Sequence, residues 1–217
     1  MKVVIFGDVH GNLIALEKLF NIEKDNFDLF ICHGDIVNYG PWSNECINIL
    51  TEMSDGTLLM GNHEKYFING IYDGTNKIAK AFFEHCYSYF NKSLINDIKS
   101  YKCQTSLNNF IVKHTIFDQY IFADTDISKL EIISDFIIGH SHQQFEREKG
   151  DYKIINTGSL GQNREYINQS SYIIFDTKSG KVELKHFIHD IYQMINQMKS
   201  EKYPKICIDY YMSKKKL

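Results

Sequence analysis

The 217-residue chain holds only two prolines, Pro41 and Pro204, and has no Pro/Gly/Ser-rich stretch, internal repeat or low-complexity tract that would mark a linker. Its five cysteines (Cys32, Cys46, Cys86, Cys103 and Cys207) are odd in number, widely spaced and without a CxxC pair. That pattern excludes a disulfide framework and a thiolate zinc site and implies reduced thiols. Basic charge is not in excess either: a formal net charge of -3 leaves no electrostatic footprint for nucleic acid, so a polyanionic ligand has to be captured locally. No apolar run approaches the roughly 18 residues of a membrane span. The opening run Val3 to Phe6 meets Asp8 too early for the apolar core of a secretory leader. These absences predict a soluble, cytoplasmic protein with no membrane contact. The basic end, Lys214 to Lys216, reads as a solvated, frayed terminus.

What remains is a globular composition, 43% hydrophobic and 24% charged, in a length that suits one domain over residues 1–217. Val3 to Phe6 is a continuous apolar strand, and Leu13, Leu16, Leu19 and Phe20 follow at helical spacing behind a Gly11-Asn12 turn. The unit recurs, with Leu29 to Cys32 as a strand, a helix opened by Pro41 that runs through Ile47 and Leu50, and Leu58 to Met60 as a third strand. Residues 77 to 100 have the apolar spacing of two helical pieces. From residue 106 onward the pattern turns to strands: Phe110 to Val112, Phe136 to Ile138, Tyr152 to Ile155, Tyr172 to Phe175 and Val182 to Phe187, with a final amphipathic helix near 189 to 200. Strand and helix in alternation predict parallel pairing, and two β-rich halves sharing a core give a layered α/β sandwich.

The polar residues that stand out sit where these strands end. Asp8 and His10 leave the first strand, Asp35 the second, and Asn62 and His63 the third. His114 leaves the Phe110 strand, and His140 and His142 leave the Phe136 strand. The carboxyl edge of an open α/β sheet is where ligands bind, so residues remote in sequence converge there. The donors are two carboxylates, one amide oxygen and four imidazoles, with His63 left over. Mixed oxygen and nitrogen donors suit Mn, Fe, Co, Ni or Zn better than Mg or Ca. Seven ligands for two divalent ions require one to be shared, and a carboxylate, Asp35, is the natural bridge. His33, His85, His186 and His189 read as structural or solvated.

The segments GDVHGN (7–12), GDIVNYGP (34–41), GNHE (61–64) and GHSH (139–142), taken in order, resemble those of the calcineurin-like metallophosphoesterases in their small bacterial form. The resemblance runs from Asp8 to about Gly161 and implies a four-layer α-β-β-α sandwich of two mixed sheets. It further implies one metal held by Asp8, His10, Asp35 and His142 and a second by Asp35, Asn62, His114 and His140, manganese being favoured. His63 would be the catalytic imidazole beside the leaving group, and a bridging hydroxide would attack phosphorus in line.

Two positions depart from the family. Thr115, not glycine, follows His114. Asn38-Tyr39-Gly40-Pro41 also replaces the Asp-Arg-Gly of the serine/threonine phosphatase branch, which argues against phosphoprotein substrates. The stretch Asn156 to Arg164 resembles the family's NPGS segment, and its backbone amides are expected to receive phosphate oxygens. Arg164, one of two arginines, suits a phosphate through its guanidinium fork, and Tyr39 with Trp42 offers a stacking surface for a base or aryl group. The expected function is hydrolysis of phosphodiesters or small phosphorylated metabolites, nucleotides among them. A non-catalytic binding scaffold of the same superfamily is the alternative, against which the presence of His63 and the whole ligand set speaks.

Overall fold

A computed structural model describes residues 1–217. Its strands are β1 (Lys2–Phe6), β2 (Leu29–Cys32), β3 (Gly56–Leu58), β4 (Gln104–Leu107), β5 (Phe110–Lys113), β6 (Asp135–Ile138), β7 (Gln144–Lys149), β8 (Tyr152–Thr157), β9 (Gln169–Asp176) and β10 (Val182–Ile188). The helices are α1 (Leu13–Ile22), α2 (Ser43–Glu52), α3 (Asn62–Asn69), α4 (Lys77–Tyr89), α5 (Ile95–Lys99), α6 (Ile191–Ser200) and α7 (Lys205–Ser213).

The strands form two mixed five-stranded sheets, ordered β10-β9-β1-β2-β3 and β4-β5-β6-β8-β7. In the first, β1, β2 and β3 are parallel; in the second, β5, β6 and β8 are parallel. The two parallel triplets therefore bring their carboxyl ends, and the loops that leave them, to one rim.

The period-two alternation of each strand decides which side chains go where. Val3, Ile5, Ile31, Ile173 and Phe175 of the first sheet meet Phe110, Val112, Ile137 and Ile155 of the second in a dry layer between the sheets. Each such side chain contributes about 1.5–3 kcal/mol on burial. The opposite faces of β1 and β2 (Val4, Phe6, Phe30, Cys32) pack under the helices together with Leu16, Leu19, Ile47, Phe82, Met194 and Tyr211. The outer face of the second sheet is covered by the long 115–134 segment, whose one helical turn is the 3-10 turn Ile127–Lys129; Ile116, Ile121 and Ile132 cap Phe136 and Ile138 there. The α-β-β-α layering thus holds with its fourth layer reduced to this segment.

Several boundaries differ from the sequence reading. The third strand starts two residues earlier, at Gly56, because the Leu59–Lys102 bridge already belongs to the turn toward α3. Helix α2 starts at Ser43, with Trp42 as its N-cap, so Pro41 lies outside it. Four elements were not foreseen: α3, whose first residues are the GNHE motif itself, the edge strands β4 and β7, and α7. The basic terminus is not frayed. The Ile167 amide donates to Lys215 O at 2.9 Å, and the Leu217 amide donates to Asn168 Oδ1 at 2.9 Å.

Candidate functional site

Three strands of the two parallel triplets, β1, β2 and β6, end in turns sharp enough to throw side chains into the rim. Asp8, His10, Asp35, His140 and His142 all have positive φ, between 49° and 67°. For residues other than glycine this costs of order 1–3 kcal/mol each and persists only where surrounding contacts over-determine it. Those contacts are backbone hydrogen bonds between neighbouring loops: the Asp8 amide donates to Gly34 O and the His10 amide to Asp35 O, both at 2.9 Å. Gly34 has φ +111°, and a side chain there would strike the Gly61 backbone, so only glycine lets the β2 and β3 exits run this close.

The carboxylates divide their oxygens. Asp8 Oδ2 accepts the His140 amide at 2.9 Å, leaving Oδ1 without a hydrogen bond; Asp35 Oδ1 accepts the His63 amide at 2.9 Å. Asp35 Oδ2 then stands 3.3 Å from His114 Nε2, 3.9 Å from His10 Nε2 and 4.0 Å from His63 Nε2. Around Asp8, His142 Nδ1 donates to Gln162 O at 2.6 Å and His10 Nδ1 to Val37 O at 3.3 Å. With both rings neutral, as metal ligands are, the two Nε2 atoms carry lone pairs 3.1 Å apart, with Asp8 Oδ1 3.2 Å from that of His142. Three acceptors facing one another with no proton between them repel unless a cation stands among them. Ligands about 2.1 Å from one ion and at right angles to each other lie about 3 Å apart, which is the spacing found.

A second nest is built on His114 Nε2, 3.0 Å from Asn62 Oδ1 and 3.0 Å from His140 Nδ1. Burial pushes the His114 imidazole down, but the Asp35 carboxylate more than reverses this and raises it to about 9, while burial and His114 drive His140 down to about 3. Without a metal, the His114 proton supplies the positive charge this nest requires. Burial pushes both carboxyls up, yet His142 beside Asp8 and His114 beside Asp35 hold them well below the usual range. The seven residues expected as ligands are thus brought together in two donor sets that share Asp35, and they fit a pair of divalent ions.

His63 points into the same space. Burial lowers its pKa, and Asn38 Nδ2 donates to Nδ1 at 2.9 Å, leaving the ring proton on Nε2 toward Asp35 and the open cavity. Two lobes open beside the donor sets and share Asn62, Tyr66, Tyr120 and His140. One, of about 570 Å³, contains His63, Tyr39, Arg164 and Tyr210; the other, of about 450 Å³, contains His114, Lys65 and Lys113. Tyr39 packs edge-on against His10 at 4.9 Å and lines the larger lobe, as does Arg164, whereas Trp42 lines neither.

A model of the calcineurin-like phosphoesterases matches residues 1–180. The chain belongs to this family. An uncharacterised protein of Methanocaldococcus jannaschii is 29% identical over 93% of this chain and 93% of its own length. The crystal structure of a metallophosphoesterase from Sphaerobacter thermophilus covers 98% of both chains with a TM-score of 0.83 and 22% identity, a likeness of fold. A symmetrical bis(5'-nucleosyl)-tetraphosphatase of Thioalkalivibrio sulfidiphilus is 30% identical over 86 residues, which make up 37% of this chain and 30% of its own.

One expectation for this calcineurin-like site is overturned. Four amides of the Asn156 to Arg164 stretch, its glycines among them, are engaged within the protein and not free for a phosphate. Gly158 donates to Asn156 Oδ1, Leu160 to Gly7 O, Gly161 to Asp8 O and Gln162 to Ser159 Oγ, at 2.8–3.0 Å. Through Leu160 and Gly161 the loop braces the Asp8 turn from behind, so these four donors are already used.

Sequence reasoning also missed Glu64, the last residue of GNHE. Its carboxylate accepts the amides of Asp35 (2.7 Å), Ile36 (2.7 Å), Val37 (3.3 Å) and Gly61 (2.8 Å), tying the β2 exit to the β3 exit. Burial and Asp35 push its carboxyl up to about 7 against the pull of those amides, and four converging donors make the anion the form this fold uses. Replacing Glu64 by Ala strands four buried N–H groups at about 1–3 kcal/mol for each that finds no water. Urea unfolding is expected to show a loss of at least about 3 kcal/mol. A loss below about 1 kcal/mol would mean that water takes over these contacts.

Proposed function

We propose that the chain is a binuclear metal-dependent phosphodiesterase acting on small phosphorylated compounds, nucleotides included. The observation that carries this reading is the pair of lobes: room for a substituent on each side of the donor sets is what a diester needs and a monoester does not. Both lobes hold cationic side chains, Arg164 and Lys214 in one and Lys65 and Lys113 in the other. The similarity to a bis(5'-nucleosyl)-tetraphosphatase over 86 residues supports a nucleotide-like substrate. The mixed O and N donors favour manganese or a similar divalent ion. Five free cysteines are in keeping with a reducing compartment, the cytoplasm, and no helix is long and apolar enough to cross a membrane.

Held in the two donor sets, divalent ions would neutralise charge on the phosphoryl oxygens and bring the pKa of a water from about 15.7 toward about 7. The chain's own residues do the rest. Asp8 and Asp35 keep one oxygen each aimed at the centre while their second oxygens lock the His140 and His63 amides. His63 presents its Nε2 proton to the leaving oxygen, with Asn38 fixing the ring. Because His63 lines the larger lobe only, the leaving group departs into that lobe. Tyr39, packed on both His10 and His63, keeps bulk water off their faces.

Loaded with manganese, the protein is expected to hydrolyse bis(p-nitrophenyl) phosphate at least about tenfold more efficiently than p-nitrophenyl phosphate, and to lose both activities on chelation. Turnover of the monoester alone would remove the diesterase reading. Turnover that survives chelation would remove the metal.

A further inference from the structure

We propose that α7 and the tail behind it complete an anion subsite in the larger lobe, in which Arg164 and Lys214 hold a second phosphate on the leaving side of the substrate. The inference rests on the diesterase reading and narrows it: the leaving group is itself a phosphorylated, ring-bearing group of the nucleoside phosphate class.

Arg164 and Lys214 reach the lobe from separate parts of the chain and line it together with His63, Tyr39, Tyr72 and Tyr210. Neither is paired with a carboxylate; the ion pairs of the chain involve other lysines and the histidines of the metal nests. Aromatic faces hold them instead. The Arg164 guanidinium lies 5.1 Å over Tyr120, and Lys214 Nζ lies 4.6 Å over Tyr210. Both cations thus line one cavity without a carboxylate beside them, and an anion bound there would supply the missing counter-charge.

The backbone that carries them is fixed. In α7, Cys207 and Tyr211 are fully buried, and Tyr211 Oη receives the Gln162 side-chain amide at 3.4 Å. Gln162 is also the residue whose carbonyl orients His142, so the helix is registered directly to the metal nest. Beyond α7, Lys215 O accepts the Ile167 amide, and the Leu217 backbone exchanges two hydrogen bonds with the Asn168 side chain at 2.9 and 3.0 Å. This clip holds the Lys214 segment beside the loop that bears Arg164. Tyr210 stands 6.4 Å from Tyr39, the rings inclined by 38°, a pair of aromatic walls for a planar group. Tyr210 and Lys214 lie beyond residue 180, where the family match ends, so the half of the subsite that α7 and the tail supply belongs to the part of the chain that the family pattern does not cover, whereas Arg164 and Tyr39 lie within it.

The test is calorimetric binding of two probes that differ only in the second phosphate, adenosine monophosphate and adenosine α,β-methylene diphosphate, to the manganese-loaded full-length protein. The wild type is expected to bind the diphosphate at least about tenfold more tightly, the gain of one charge-assisted contact. Lys214→Ala and Arg164→Ala should each cut that gain to about threefold or less, and Lys214→Arg should restore it. The alanine change at Lys214 leaves the backbone clip in place, so the fold is retained. An equal affinity of the wild type for both probes overturns the proposal. So does a gain that survives in both alanine variants, since the second phosphate would then sit on the metals. Failure of the diesterase reading itself is separate: it shows as a wild type inert toward bis(p-nitrophenyl) phosphate.

Discussion

Replacing Asp35 by Asn is expected to abolish cooperative loading of both metal positions and to lower diesterase turnover by about 10²–10³ or more. The physical reason lies at one atom. Asp35 Oδ2 is within 4.0 Å of imidazole nitrogens from His10 in one donor set, His114 in the other, and His63 beside them, residues that belong to different loops. Asparagine keeps the shape and can still accept the His63 amide through its carbonyl. Its other terminus is an NH₂ that donates into the space where lone pairs should meet a cation. The metal-free variant is expected to melt earlier, because the buried Asp35–His114 pair, 3.3 Å apart, loses its anion. What also disappears is the stabilisation by manganese, about 2.7 kcal/mol for an ion present at a hundred times its Kd. Elemental analysis and thermal melts with and without manganese read both effects. Two equivalents of metal together with wild-type turnover would show that Asp35 is not the bridge.

The second large effect is expected at His63. His63→Asn should lower turnover of an aryl diester by about 10²–10⁴ while metal content stays at two equivalents. His63 contributes no atom to either nest; its Nε2 is 4.0 Å from Asp35 Oδ2 and its Nδ1 is occupied by Asn38. The loss should therefore fall on kcat, and should be smallest for the leaving group that least needs a proton. A graded series of aryl leaving groups measures this as a steeper dependence on leaving-group pKa in the variant. An unchanged slope and unchanged kcat would take His63 out of the reaction.

Much of this site was legible because the chemistry is concentrated in short segments at the ends of apolar runs. Strand periodicity brought Asp8, Asp35, His114 and His140 to one rim, and donor type pointed to a borderline metal. His114, followed by threonine in place of the family's glycine, nonetheless forms the centre of the second nest. The parts that were not legible depend on contacts between segments far apart in the chain. Glu64 reads as one more acidic residue opening a helix until its carboxylate is seen to gather three amides from the β2 exit besides that of its own N-cap, Gly61. The Asn156 to Arg164 stretch reads as a phosphate cradle until the amides of Leu160 and Gly161 are found spent on the Asp8 turn and those of Gly158 and Gln162 on side chains of the loop itself. The lysines at the end read as a solvated tail because nothing local reveals that Asn168 and Ile167 hold them.

The sequence by itself determined the family and the alternation of strands and helices, and it singled out the eight polar residues that meet at the rim. Each of these is written in local spacing, and local spacing sets which side chains leave a strand at its end. Only the tertiary structure decided which oxygen of each carboxylate is left for a cation, that five ligand residues are held at positive φ, and that α7 walls the larger lobe. Those outcomes follow from hydrogen bonds and packing between segments remote in the chain, whose geometry no spacing along the sequence encodes.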